Sequence, residues 1–219
     1  MKHVFISISI FLLSINCGFG QKNKIFIPEE YHVSYDNVGH GIIKVYQNIG
    51  NAQQFLNIVR AKSISYKKYF YTSTYVAGQV VDSSVYTNST LVEIYSFENG
   101  KMVKGHIQED TIIDNGKRYG RHIRTLVFKQ NSSIITSRLE EEYDKDVNID
   151  WQGKVTACIL TKAHGLEVNQ NNNFTFLKKE RKTEHLFYYA KGLGLIKIIN
   201  IEGNNTNTIV LKEIKRLND

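Results

Sequence analysis

Residues 185–202 read HLFYYAKGLGLIKIINIE: an aromatic run, two glycines one residue apart, then a second apolar run. A dinucleotide-binding loop needs G-x-G-x-x-G between a strand and a helix. Here the third position is Lys197, and the IINI that follows favours a strand. A Walker loop would need Gly-Lys-Ser/Thr opening a helix, and that is absent as well. The glycines fit a tight hairpin or bulge, where positive φ and close backbone approach suit glycine best. The flanking runs then become two antiparallel strands.

Similar punctuation recurs along the chain at Asn99-Gly100, Asn115-Gly116, Gln130 to Ser133, Gln152-Gly153, Asn169 to Asn173 and Gly203 to Asn207. Such signals between apolar runs predict hairpins. Strand-length segments rich in β-branched and aromatic residues lie between them: 90–98, 101–109, 121–129, 154–162 and 208–214. In RHIRTLVFK, Ile123, Thr125 and Val127 fall on one face, and His122, Arg124, Leu126 and Phe128 on the other. Regular turns without intervening helices predict an antiparallel meander.

One segment reads as a helix. In GNAQQFLNIVRAK, residues Ala52, Phe55, Leu56 and Val59 share a helical face behind a suitable N-cap, Asn51. It follows strand-like residues 41–47 and precedes YKKYFYTSTY, where Tyr69, Tyr71 and Tyr75 would share one strand face and Phe70 the other. Such a tyrosine row can pack across strands or present apolar area with a polar tip to a ligand.

The chain opens MKHVFISISIFLLSINCGFGQ: a basic start, an apolar stretch from Val4 to Ile15, then small residues. This is the layout of a secretory signal peptide, too short to span a bilayer of roughly 20 helical residues. Cleavage after Gly20 fits the small-residue requirement, leaving residues 21–219 as a single antiparallel β domain in the periplasm or secreted. The alternative is an outer-membrane lipoprotein attached through Cys17. With residues 1–20 removed, Cys158 is the one cysteine left, so no internal disulfide can form.

The full chain carries a formal charge of +7, and removal of Lys2 with the signal leaves +6, which favours anionic lipid or glycan outside the cytoplasm, while export argues against nucleic acid as a partner. Catalytic and metal motifs are missing: there is no G-x-S-x-G, no HExxH and no close Cys/His spacing. Cys158 in VTACIL reads as a small buried hydrophobe. The alternating Asp144, Asp146, Asn148 and Asp150 lack the glycine and glutamate of an EF-hand loop, and read as a solvated strand or loop. No enzyme, cofactor or metal is expected.

The stretch LFYYAKGLGLIKIINIEGNNTNTIVLKEI resembles the C-terminal part of a family of exported bacterial proteins of unknown function. In that family an aromatic-Ala-x-Gly-x-Gly-Leu-x-Lys hairpin precedes the final strand. The matching residues are Tyr189, Ala190, Gly192, Gly194, Leu195 and Lys197, and WQGKVTACILTK looks like the family's preceding strand. The likeness spans residues 151–214. Family members look like periplasmic lipoprotein carriers of the LolA/LolB type. The resemblance therefore implies a mainly β fold, a curved antiparallel sheet forming an open half-barrel, with one short helix packed on it from residues 51–61.

The expected function is non-catalytic binding of a lipid, an acyl chain or a lipidated protein in the concave face, by Phe55, Val59, Tyr69, Tyr71 and Tyr75. The alternative is a structural or assembly partner of other cell-envelope proteins with no small-molecule ligand. Contact with the membrane would be peripheral at most.

Overall fold

A computed structural model describes residues 26–27, 29–31, 41–50, 55–62, 69–87, 90–98, 101–130, 132–174 and 176–217. The signal segment, Cys17, Asn51 and the Asn99-Gly100 turn lie outside the described residues.

Among the described residues twelve strands follow in order: β1 (Gly41–Asn48), β2 (Phe55–Lys62), β3 (Tyr69–Val76), β4 (Gln79–Thr87), β5 (Thr90–Glu98), β6 (Lys101–Ile113), β7 (Arg121–Lys129), β8 (Ser133–Trp151), β9 (Lys154–Asn171), β10 (Lys178–Ala190), β11 (Gly194–Glu202) and β12 (Asn205–Arg216). Each pairs antiparallel with its sequence neighbours, and β1 pairs with β12, so the meander closes into a barrel. The seam runs from Ile42 opposite Arg216 to Asn48 opposite Ile209, with one register shift at Val45/Tyr46.

Two expectations are corrected here. The sheet is no open half-barrel, because the β1–β12 ladder leaves neither end strand unpaired. The predicted helix over residues 51–61 is also wrong: from Phe55 onward it is β2, paired with β1 on one side and β3 on the other. FLNIVRAK also alternates, with Leu56 and Ile58 buried and Asn57 and Val59 half-exposed, and a short apolar run satisfies both periods. Two flanking strands with unpaired backbone groups decide between them.

The inward rows carry most of the core. Tyr46, Leu56, Ile58, Leu139, Ile159, Phe187, Tyr189, Ile198, Ile209 and Leu211 join one apolar cluster with Phe26 and Ile27. Leu91, Ile94, Leu126 and Phe128 form a second. Outside, β6–β8 carry linked ion pairs: Arg138 bonds Glu109 at 2.8 Å and Glu140 at 3.0 Å, and Arg121 approaches Glu140 at 3.4 Å. A lipid-facing charge near a bilayer midplane costs about 2–4 kcal/mol, so this wall suits water.

The GLG stretch is a hairpin turn, as its sequence implies. Gly192 and Gly194 have φ of 73° and 71°, and Ala190 pairs with Gly194. The turn also anchors the N-terminal segment, since Gly192 N donates to Glu30 O at 2.6 Å.

Beside this turn the long β8–β9 hairpin overhangs the barrel end. A register shift at Tyr143/Lys145 redirects it, and its tip reaches β12, where Trp151 Nε1 donates to Leu211 O at 2.8 Å and Gln152 Nε2 to Lys212 O at 2.6 Å. Its aspartates are engaged separately: Asp144 with Lys162, Asp146 with Arg118, and Asp150 with the Gly153 amide.

Gly105 marks the tightest packing on β6. A Cβ there would lie 2.6 Å from Phe128 Cε1 and 2.8 Å from Ile94 Cγ2. Gly105→Ala is therefore expected to cost about 1–3 kcal/mol through overpacking, read as a lower denaturation midpoint with an unchanged slope.

Candidate functional site

The inward faces of β3 and β4 break the apolar lining. Thr72, Thr74, Asp82 and Ser84 are all buried at 1% exposure or less, and register places Thr74 opposite Asp82 and Thr72 opposite Ser84. The same row continues from Ile58 in the core, through Thr74 and Asp82, to buried Ser96 on β5. Neither Asp82 carboxyl oxygen and none of the hydroxyls of Thr72, Thr74 and Ser84 makes a hydrogen bond of ordinary geometry within the protein, although the Thr74 hydroxyl faces the Asp82 carboxyl closely enough to favour its charge. Burial pushes the Asp82 carboxyl well above the ordinary carboxylate range, with Thr74 opposing that shift. A carboxyl among hydroxyls accepts hydrogen bonds when charged and can also donate one when protonated.

A second buried polar group, on β6–β11, differs because most of its polar atoms pair within it, Asn200 Nδ2 being an exception. Arg124 donates to Asp110 Oδ1 through Nε at 3.0 Å and Nη2 at 2.9 Å, and His122 Nε2 lies 2.7 Å from the same oxygen. Burial works against ionising Asp110, but the His122 hydrogen bond and the Arg124 charge outweigh it and hold the carboxyl below its usual range. Burial keeps His122 below its usual value, and the Phe26 ring packs 5.6 Å from its imidazole.

Beside His122 in the register stands Glu141, which accepts hydrogen bonds from the Thr161 hydroxyl and from Tyr189 OH at 3.1 Å. Burial raises its pKa to about 7, against these two bonds and the Arg124 charge. His185, bonded to Asn200 at 2.6 Å, is lowered to about 4 by burial.

These shifts have opposite signs in stability. Glu141, raised in the folded state, contributes stability that is fully present below its unfolded value and lost as pH rises through about 7. His185, depressed, contributes stability present above its unfolded value and lost as pH falls through about 4. Glu141→Gln keeps an acceptor for Thr161 and Tyr189 without the buried charge. It should match the parent near pH 4 and exceed it by about 3 kcal/mol at pH 8, measured by chemical denaturation at both values.

The residues proposed from sequence occupy other places. Val59, Tyr71 and Tyr75 belong to the outward row of β2 and β3, where Asn57 pairs with Tyr75 and Ala61 with Tyr71. Tyr71 is 44% exposed, while Val59 and Tyr75 are half-buried. The side chains of Phe55 and Tyr69 lie outside the described residues. Cys158 is buried in the core, and burial lifts its thiol to about 11, which fits the inert role read from VTACIL. Sequence reading missed Thr72, Thr74, Asp82 and Ser84. Their signal is polar residues at alternate positions on either side of the Ala77-Gly78 turn, which the register shift at Thr74/Tyr75 brings face to face.

No protein-family model and no curated protein matches the chain. Two solved structures are similar in outline. One is a presumed lipoprotein from Parabacteroides distasonis, with TM-score 0.47 and 14% identity over 89% of this chain and 100% of that one. The other is a presumed exported protein with a YmcC-like fold from Bacteroides fragilis, with TM-score 0.46 and 10% identity over 80% of this chain and 96% of that one. Neither description names a carrier of the LolA/LolB type. Both superpositions are loose, so the site is read from this chain's own residues.

Proposed function

We propose that the chain is an exported, non-catalytic barrel protein that holds a small amphipathic molecule, a lipid or another acyl-chain compound, in its interior. The acyl portion would lie against the wall of Tyr46, Leu56 and Ile58, and the polar head against Thr72, Thr74, Asp82 and Ser84. One observation carries the reading: five buried oxygens on two adjacent strands make no hydrogen bond of ordinary geometry within the protein, directly beside an apolar wall. Leaving a buried polar group unsatisfied costs about 1–3 kcal/mol, so a ligand head that donates hydrogen bonds gains affinity here.

The test is mass spectrometry of protein purified from its own cell envelope, with gentle and then denaturing desorption. The expected result is a retained amphiphile near one per chain, released on denaturation. Protein that carries none, and takes up no fluorescent acyl analogue after delipidation, would end the proposal.

A further inference from the structure

The barrel end opposite Trp151 carries an apolar projection that the interior site does not use. Between β9 and β10, Phe174, Phe176 and Leu177 are 53%, 79% and 52% exposed. Large apolar side chains so close together on a surface mark contact sites more often than single exposed ones do. They are also held in place. Asn171 Oδ1 accepts the amides of Asn173 at 2.8 Å and Phe174 at 3.1 Å, and Leu177 N donates to Phe174 O at 2.8 Å. The two rings meet edge to face with centroids 5.9 Å apart. Asn172 ties the projection to the β7–β8 turn through Ser132 O and Gln130 O, both at 3.0 Å.

The charge around this tip is mostly basic. Lys178 and Lys179 follow Leu177 directly, Lys182 is exposed further along β10, and Lys129 ends β7 beside the linked turn. Of the nearby acids, Glu180 pairs with Lys178 at 2.6 Å, Glu202 bonds Arg181, Glu167 stands opposite Arg181 in the register, and Glu184 is exposed beyond Lys182.

We infer that the β9–β10 tip docks the protein peripherally on an anionic phospholipid surface, with Phe174, Phe176 and Leu177 entering the headgroup boundary and the lysines facing the lipid phosphates. Aromatic and aliphatic groups flanked by lysines are the composition of interfacial anchors, because rings suit the headgroup region and basic residues add attraction to anionic lipid. The hydrogen bonds that hold Asn173, Phe174 and Leu177 reduce the conformational freedom those residues lose on contact. Charge complementarity selects a bilayer over a second copy of this basic chain.

The test uses purified protein and vesicles of either phosphatidylcholine alone or a phosphatidylethanolamine and phosphatidylglycerol mixture. Parent protein should sediment with the anionic vesicles, less so as salt rises, and not with the neutral ones. Phe174→Ser and Phe176→Ser should each weaken partition by about tenfold, the scale of one buried ring. Lys179→Glu with Lys182→Glu should remove the preference for anionic lipid.

Since Trp151 is the chain's one tryptophan and sits at the other end, Phe176→Trp places a reporter at the tip without removing its apolar bulk. Brominated lipid should quench the Phe176→Trp emission and leave parental Trp151 emission unchanged. The inference fails if parent protein ignores anionic vesicles or if bound Phe176→Trp stays unquenched. It fails equally if the tip changes abolish a lipid-free dimer in sedimentation velocity, which would assign the tip to a second copy.

Discussion

Arg124→Met is expected to destabilise the folded chain by about 3 kcal/mol, the low end of the cost of removing one partner from a buried ion pair, because Asp110 keeps some contact with solvent. Arg124 is 2% exposed and makes two hydrogen bonds to Asp110. Methionine fills comparable length without the charge, so the loss is mainly electrostatic. Asp110 would keep only His122, whose own protonation is disfavoured by burial, and Glu141 would lose a nearby positive charge. For a chain of this size the change corresponds to a midpoint lower by about 10 °C. Arg124→Met with Asp110→Leu removes both charges and should recover more than half of the deficit, because no buried charge then stands alone. A single variant within about 0.5 kcal/mol of the parent would show that the pair does not hold these strands.

Asp82→Val is expected to act in the opposite direction. The carboxyl is fully buried with neither oxygen in a hydrogen bond of ordinary geometry, so replacing it by a branched apolar group of similar size should stabilise the empty protein by about 1–3 kcal/mol. Thermal unfolding of delipidated protein would show a midpoint several degrees higher. The same variant should lose retention of the amphiphile, because the ligand head loses its one acidic contact. The two results together are diagnostic: natural sites often keep costly groups for function. A destabilised Asp82→Val would instead make Asp82 part of the core's own bonding.

Much of the wall was legible locally. β5 spans residues 90–98 and β7 residues 121–129, as their composition and turn signals imply, whereas β7 is buried on both faces from His122 to Leu126. Gln152-Gly153 and Gly192-Leu193-Gly194 are hairpin turns because a few adjacent residues determine them. Closure was not legible. It depends on Ile42 meeting Arg216 across nearly the whole chain, and no local pattern records that register.

The site was hidden for a different reason. In YTSTYV the large tyrosines resemble the buried row and the small threonines the wet one, whereas the barrel turns Thr72 and Thr74 inward and Tyr71 outward. Hydrophobicity assigns faces correctly only where the interior is apolar. A polar lining inverts the rule at the positions that carry the candidate chemistry.

The β1–β12 seam has a further consequence, for the order in which the barrel can form. Hairpins from β2 to β11 can pair as each successive strand becomes available, but the seam waits for the last strand to emerge from ribosome or translocon. Until then β1 holds an unpaired edge, the kind of template that recruits other chains. Such a late, long-range contact makes folding slow for the size of the chain. A nonsense mutation removing only β12 would therefore leave eleven strands with two open margins, and its product should appear as aggregate.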